Sequence, residues 1–234
     1  MMRRQLWLPF LGEKRKEQRM KYRTLKKRKH NKKGCWWKKF LFLFILAAVI
    51  VAGKWGIGVL GGKLKVERLG KAQIPEWIDS QIIDVDGVSR NGVHLEGIKD
   101  IVIHYVGNPG STAQQNHDFY CSSSSQVSSH FVVGLKGEII QCIPLNEMSA
   151  ASNWRNGDTI SVEVCHPDDT GKFNDKTYKS LIKLTTWLLE NCNLSEEHII
   201  RHYDVTGKEC PRYFVQHEEA WEKFKEDVRS YREK

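Results

Sequence analysis

Sixteen Lys or Arg and only two Glu occupy residues 1–39, and the fourteen residues that follow, Phe40 to Gly53, carry no charge at all. A segment so basic stays in water and one so apolar has to be covered, so both stand apart from an ordinary globular core. Residues 1–39 hold a net +14 where the whole 234-residue chain holds +9, which leaves −5 for residues 40–234. The basic character belongs to the tail, and the rest is a separate body long enough for one sizeable core.

Two partners suit a basic run, nucleic acid and the anionic inner face of a membrane. The next segment favours the membrane. Fourteen helical residues reach about 21 Å, short of the ~30 Å hydrocarbon layer, whereas Phe40 to Gly62 reaches about 34 Å provided Lys54 snorkels outward. Trp36, Trp37 and Trp55 flank the run as an interfacial belt does. The expectation is a basic cytoplasmic tail over 1–39 and a transmembrane signal anchor over 40–62, with the remainder outside the cell by the positive-inside bias. A cleaved signal peptide, giving a secreted form, is the alternative, because Ala52 and Gly53 are small enough for a cleavage site. No nucleic-acid partner is expected, since basic residues directly before a span already have a reason to be there. The bland reading of residues 1–35 is a solvated, disordered arm.

Residues 63–97 read as a linker and lead-in, punctuated by Pro75, Gly87, Gly92 and Gly97, with short strands expected at 82–85 and 93–95. Ile101-Val102-Ile103-His104-Tyr105 is short and β-branched, a buried strand with His104 near its end. Ser111 can cap a helix running to about Tyr120. Two apolar runs, 128–133 and 138–143, surround a Gly-containing connection and predict a hairpin. Thr159 to Cys165 alternates strictly, placing Ile160, Val162 and Val164 on one face and Ser161, Glu163 and Cys165 on the other. A carboxylate in so apolar a strand has two explanations: an exposed edge strand with Glu163 in water, or a functional carboxylate. Residues 175–192 then change to helical spacing, and a second amphipathic helix carries Ala220, Trp221, Phe224 and Val228. Interleaved strands and helices over 98–231 predict an α/β domain with a central mixed β-sheet flanked by helices, preceded by the transmembrane helix.

The loop from Arg201 to Pro211 concentrates the chemistry. His202 and Cys210 are transition-metal ligands, and Lys208 lies between them. A catalytic zinc takes three protein groups and leaves a position open, so a third ligand is required. His104 is the candidate, although a strand-end histidine is more often hydrogen-bonded and structural. A closed structural zinc generally uses cysteine pairs, and the chain has no C-x-x-C. Five cysteines follow the apolar run without regular spacing; besides Cys210, the four at 121, 142, 165 and 192 are either paired or buried thiols.

Taken in order, Ile101–Tyr105, Ser129-His130-Phe131, Ile140–Pro144, Ile160–Glu163 and His202–Pro211 resemble the zinc N-acetylmuramoyl-L-alanine amidases. That family is shared by bacterial autolysins, phage endolysins and animal peptidoglycan recognition proteins. The resemblance covers roughly residues 98–216 and implies a mixed sheet with one zinc at the floor of a peptidoglycan groove. It implies His104, His202 and Cys210 as metal ligands, Glu163 as general base and Lys208 as the stabiliser of the oxyanion. Other members carry a catalytic tyrosine where this chain has Ser129, and the presence of Glu163 points to the glutamate-dependent subgroup. His130 is expected to be structural. The implied activity is hydrolysis of the amide joining the muramoyl lactyl group to L-alanine, by a monomer with peptidoglycan as partner. The alternative is a binding module of the same fold, which in this family typically lacks the third ligand.

Overall fold

A computed structural model of the protein describes residues 8–85 and 88–234. The chain divides into two units, residues 1–57 and 58–234.

The described part of the first unit is helical, and it belongs to a single long helix, α1 (Leu8–Gly70). Residues 8–35, weighed above as a disordered arm, lie in that helix, while residues 1–7 and Gly87 lie outside the described residues. The transmembrane expectation is corrected here: among the described residues no helix is long and apolar enough to cross a membrane. Phe40–Gly53 alone would reach only about 21 Å as a helix, and Lys54 interrupts the run that would lengthen it. With no such helix among the described residues, the positive-inside argument has no span to orient.

The second unit contains a six-stranded sheet in the order β1-β4-β3-β5-β2-β6. Its strands are β1 (Asp79–Ser80), β2 (Asp100–Ile103), β3 (Phe131–Val133), β4 (Ile139–Gln141), β5 (Thr159–Val164) and β6 (Ile199–Arg201). The β3–β4 hairpin is antiparallel and the other four pairings are parallel, so the sheet is mixed. The helices are α2 (Ala113–Tyr120), α3 (Asp175–Cys192), α4 (His202–Thr206), α5 (Arg212–Gln216) and α6 (Glu218–Arg232).

The alternation along β5 sorts the two faces. Ile160, Val162 and Val164 join Ile101, Ile103, Phe131 and Val133 beneath α3 and α6 in the larger core. The opposite face carries Val132, Ile140, Cys142 and Cys165 against Ala113 and Tyr120 of α2. Val66 and Leu69 in the last turns of α1, with Ile78 and Leu95, are also buried in the larger core. Residues 63–97 therefore contribute apolar packing as well as connection.

Two local expectations differ. No ladder forms over 82–85; instead Ile83 N–H donates to the Cys142 carbonyl at 3.0 Å, so this segment trails along the end of β4 beyond β1. His94 forms only an isolated bridge with Glu147. Helix α2 is capped by Thr112 and not Ser111, with the Thr112 hydroxyl accepting from Gln115 N–H and the Gln115 side chain returning the bond.

Candidate metal centre and active site

Strand β2 lies between β5 and β6, and its register with both decides what meets at its end. Ile103 pairs with Val162 on one side and with Arg201 on the other, in parallel. The residues that follow, His104 on β2, Glu163 on β5 and His202 after β6, therefore emerge side by side at the C-terminal ends of three parallel strands. That edge is where open α/β sheets place their sites. His104 N–H still donates to the Val162 carbonyl at 2.9 Å, which holds the histidine in the strand although the ladder has ended.

The His104 and His202 rings lie 4.5 Å apart, centroid to centroid. Glu163 Oε1 is 3.8 Å from His104 Nδ1. Far from standing at a sheet edge, β5 is internal, and the Glu163 side chain is only 18% exposed.

Cys210 is returned to this place by the turn after His202. Helix α4 ends at Gly207, whose positive φ of 75° reverses the chain without a Cβ penalty. Tyr203 N–H then donates to the Cys210 carbonyl at 2.8 Å, closing the loop. Arg201 anchors its base through Asp204 and Glu218 and through contact with the Trp221 ring. The ligand atoms of His104, His202 and Cys210 lie within 4.8 Å of one another, and all three residues are buried. Lys208 is exposed, and its side chain completes a cleft of about 1090 Å³ lined also by Glu163, Tyr120 and the three ligand candidates.

Electrostatics follow from burial beside one cation. Burial pushes the Glu163 carboxyl up to about 8, with the Lys208 ammonium pulling the other way. Its Oε2 is buried without a hydrogen-bond partner. His104 is held well below the ordinary histidine value by burial, then by His202 and Lys208, and His202 is lowered by burial and Lys208. Both imidazoles are thus neutral at pH 7 and offer lone pairs. Burial and the nearby Glu163 push the Cys210 thiol up to about 12, so it gives up its proton only to a strong positive charge such as a metal ion.

The other histidines are placed elsewhere. His130 is buried, with Nδ1 accepting from Ser161 N–H at 3.0 Å and Nε2 donating to the Glu147 carbonyl at 2.9 Å. His198 pairs with Asp100, and His166 packs on Tyr105 with its Nδ1 at the Asp168 carbonyl. Ser129 is fully buried, its hydroxyl donating to the Phe131 carbonyl and lying 3.4 Å from the Tyr120 hydroxyl. Cys142, Cys165, Cys192 and Cys210 are buried unpaired thiols, whereas Cys121 is exposed. Sequence reasoning missed Ser152 and Asn153, whose side chains reach His104 and His202. They stand in a polar irregular segment, and no spacing ties them to either histidine.

Comparison with known proteins bears on the same residues. The sequence profile of the family described as N-acetylmuramoyl-L-alanine amidase matches residues 95–213. N-acetylmuramoyl-L-alanine amidase BlyA of Bacillus subtilis is 31% identical over 169 residues, 63% of this chain and 46% of BlyA. CwlL of Bacillus licheniformis, another N-acetylmuramoyl-L-alanine amidase, is 30% identical over 63% of this chain and 45% of its own. The chain thus spans about half the length of the curated relatives it matches. Solved structures fit more fully. A mutant endolysin from Bacillus subtilis superposes with a TM-score of 0.57 at 28% identity, covering 64% of this chain and 97% of that one. The catalytic domain of XlyA superposes with 0.57 at 26% identity, over 64% of this chain and 98% of that domain. The matched residues take in every strand from β2 to β6 together with His104, Glu163, His202, Lys208 and Cys210, and the chain belongs to the N-acetylmuramoyl-L-alanine amidase family.

Proposed function

We propose that this chain hydrolyses the amide between the lactyl group of N-acetylmuramic acid and L-alanine in peptidoglycan, using one zinc ion held by His104, His202 and Cys210. The observation that carries this is the strand-end cluster: three convergent buried ligand groups with an internal carboxylate on the neighbouring strand. The donor set suits the ion. Two neutral imidazoles and a thiol are borderline-soft ligands that zinc favours, and three protein ligands leave a coordination position for reactants, as catalytic sites do. A closed structural site would need a fourth ligand, and the group contains three.

Zinc bound there would supply a Lewis acid for a water molecule and for the scissile carbonyl. The protein's own groups do the rest. Glu163, with Oε2 unpartnered and a proton affinity raised toward neutrality, takes a proton from the attacking water and returns it to the departing nitrogen of L-alanine. A carboxyl titrating near the working pH can do both. Lys208, on the rim of the cleft, meets negative charge as it develops on the carbonyl oxygen. All five residues come from one chain, so a monomer suffices. The substrate places its work outside the cytoplasm, at the cell wall.

Metal analysis of the full chain, with mass spectrometry of digested peptidoglycan, tests this reading. The expected result is close to one zinc per chain and release of peptides beginning with L-alanine. Cleavage within the glycan or within the stem peptide, with the muramoyl–alanine bond intact, would overturn it.

A further inference from the structure

The structure assigns a positioning role to Asn153, with its neighbour Ser152 alongside: Asn153 selects which nitrogen of the His202 imidazole is presented to the metal. The inference rests on the metal reading above and goes one layer outward from it.

Asn153 Oδ1 lies 3.0 Å from His202 Nε2. An amide oxygen only accepts, so Nε2 carries the proton and Nδ1 keeps the lone pair. Ser152 Oγ lies 3.4 Å from His104 Nε2, which leaves His104 Nδ1 on the side of Glu163. Two successive residues therefore cover the Nε2 edges of both imidazoles, and the Nδ1 edges are free for the ion. Outer partners of this kind set the tautomer and ring orientation of metal-bound histidines.

The loop is built to hold that position. Asn153 has a φ of 54°, a backbone conformation that L side chains rarely adopt and that glycine enters freely. What asparagine adds over glycine here is the side-chain oxygen. Ala151 N–H and Ser152 N–H both donate to Asn156 Oδ1, at 3.2 and 2.6 Å. Arg155, in the same 3-10 turn, pairs with Asp100 at the start of β2 and with Asp158 at the foot of β5. The turn is thereby pinned to the two strands that carry His104 and Glu163.

The test uses the full chain freed of metal and titrated with Zn²⁺ and Co²⁺ against a competing chelator. Asn153→Gly should bind both ions ten- to a hundredfold more weakly, while the melting temperature of the metal-free protein holds or rises because the positive φ is relieved. Asn153→Asp keeps the acceptor and should recover most of the affinity. Nitrogen-15 shifts of the His202 ring should report the Nε2–H tautomer in the wild type and a mixture in the glycine variant. Wild-type affinity in Asn153→Gly overturns the proposal, as does an Nδ1–H tautomer in the wild type. Loss of affinity matched by loss of melting temperature and unrescued by aspartate overturns it in favour of plain scaffolding. A wild type that binds neither ion removes the metal reading itself.

Discussion

Ser161 and Glu163 sit two residues apart on the same face of the same internal strand, and they are treated in opposite ways. Around Ser161 the polar groups find partners: its Oγ accepts from His130 N–H and meets Ser149 Oγ at 2.7 Å, and both His130 nitrogens are engaged. One pleat further on, Glu163 is left with an unpartnered buried oxygen beside two imidazoles that crowd each other. A fully satisfied buried network stabilises and specifies a fold. A buried polar atom left without a partner costs stability. The two clusters thus differ, within a single strand, in how far their polar groups are satisfied.

Several perturbations would break or sharpen that contrast. Cys210→Ala, like prolonged chelation of the wild type, should remove zinc and abolish peptidoglycan hydrolysis, and zinc should restore the chelated protein but not the variant. An alanine variant that kept both metal and activity would end the ligand assignment. Glu163→Gln should lower the rate by about 10² to 10⁴ while elemental analysis still finds the metal; an unchanged release of L-alanine-terminated peptides would remove Glu163 as base. Lys208→Met should cost roughly 10² in kcat, as losses of single oxyanion donors do, with zinc content unaltered. Ser161→Ala belongs to the other side. It should destabilise the fold by about 1–3 kcal/mol through the stranded His130 N–H, read from the denaturant midpoint, and leave turnover per folded molecule nearly intact. A Ser161 variant that turned over slowly at full stability would dissolve the distinction.

Much of this arrangement was legible in local pattern. The alternation of residues 159–165 separated Ile160, Val162 and Val164 from Glu163 before any pairing was known, and the helical spacing over 175–192 coincides with α3. Whether β5 was internal could not be read from it, because an edge strand alternates in the same way. His104 and His202 could be named as ligand types, but what joins them is the register of β2 against β6, a contact across nearly a hundred residues that leaves no local trace. Resemblance to a family supplied what periodicity could not. Ser152 and Asn153 stayed invisible because their role depends on a turn held by Asn156 and Arg155, not on hydrophobic spacing. The apolar stretch from Phe40 set up the span expectation because its extension past Lys54 satisfies length, and among the described residues no helix meets length and apolar character together.

The order of the strands has a consequence for biosynthesis. His104 is made early, but β2 acquires its neighbour β6 only after all the other strands exist. A nascent chain still waiting for β6 has His104 and Glu163 of this cluster but neither His202 nor Cys210. The three convergent side chains can therefore meet only once β6 and the loop behind it have been made.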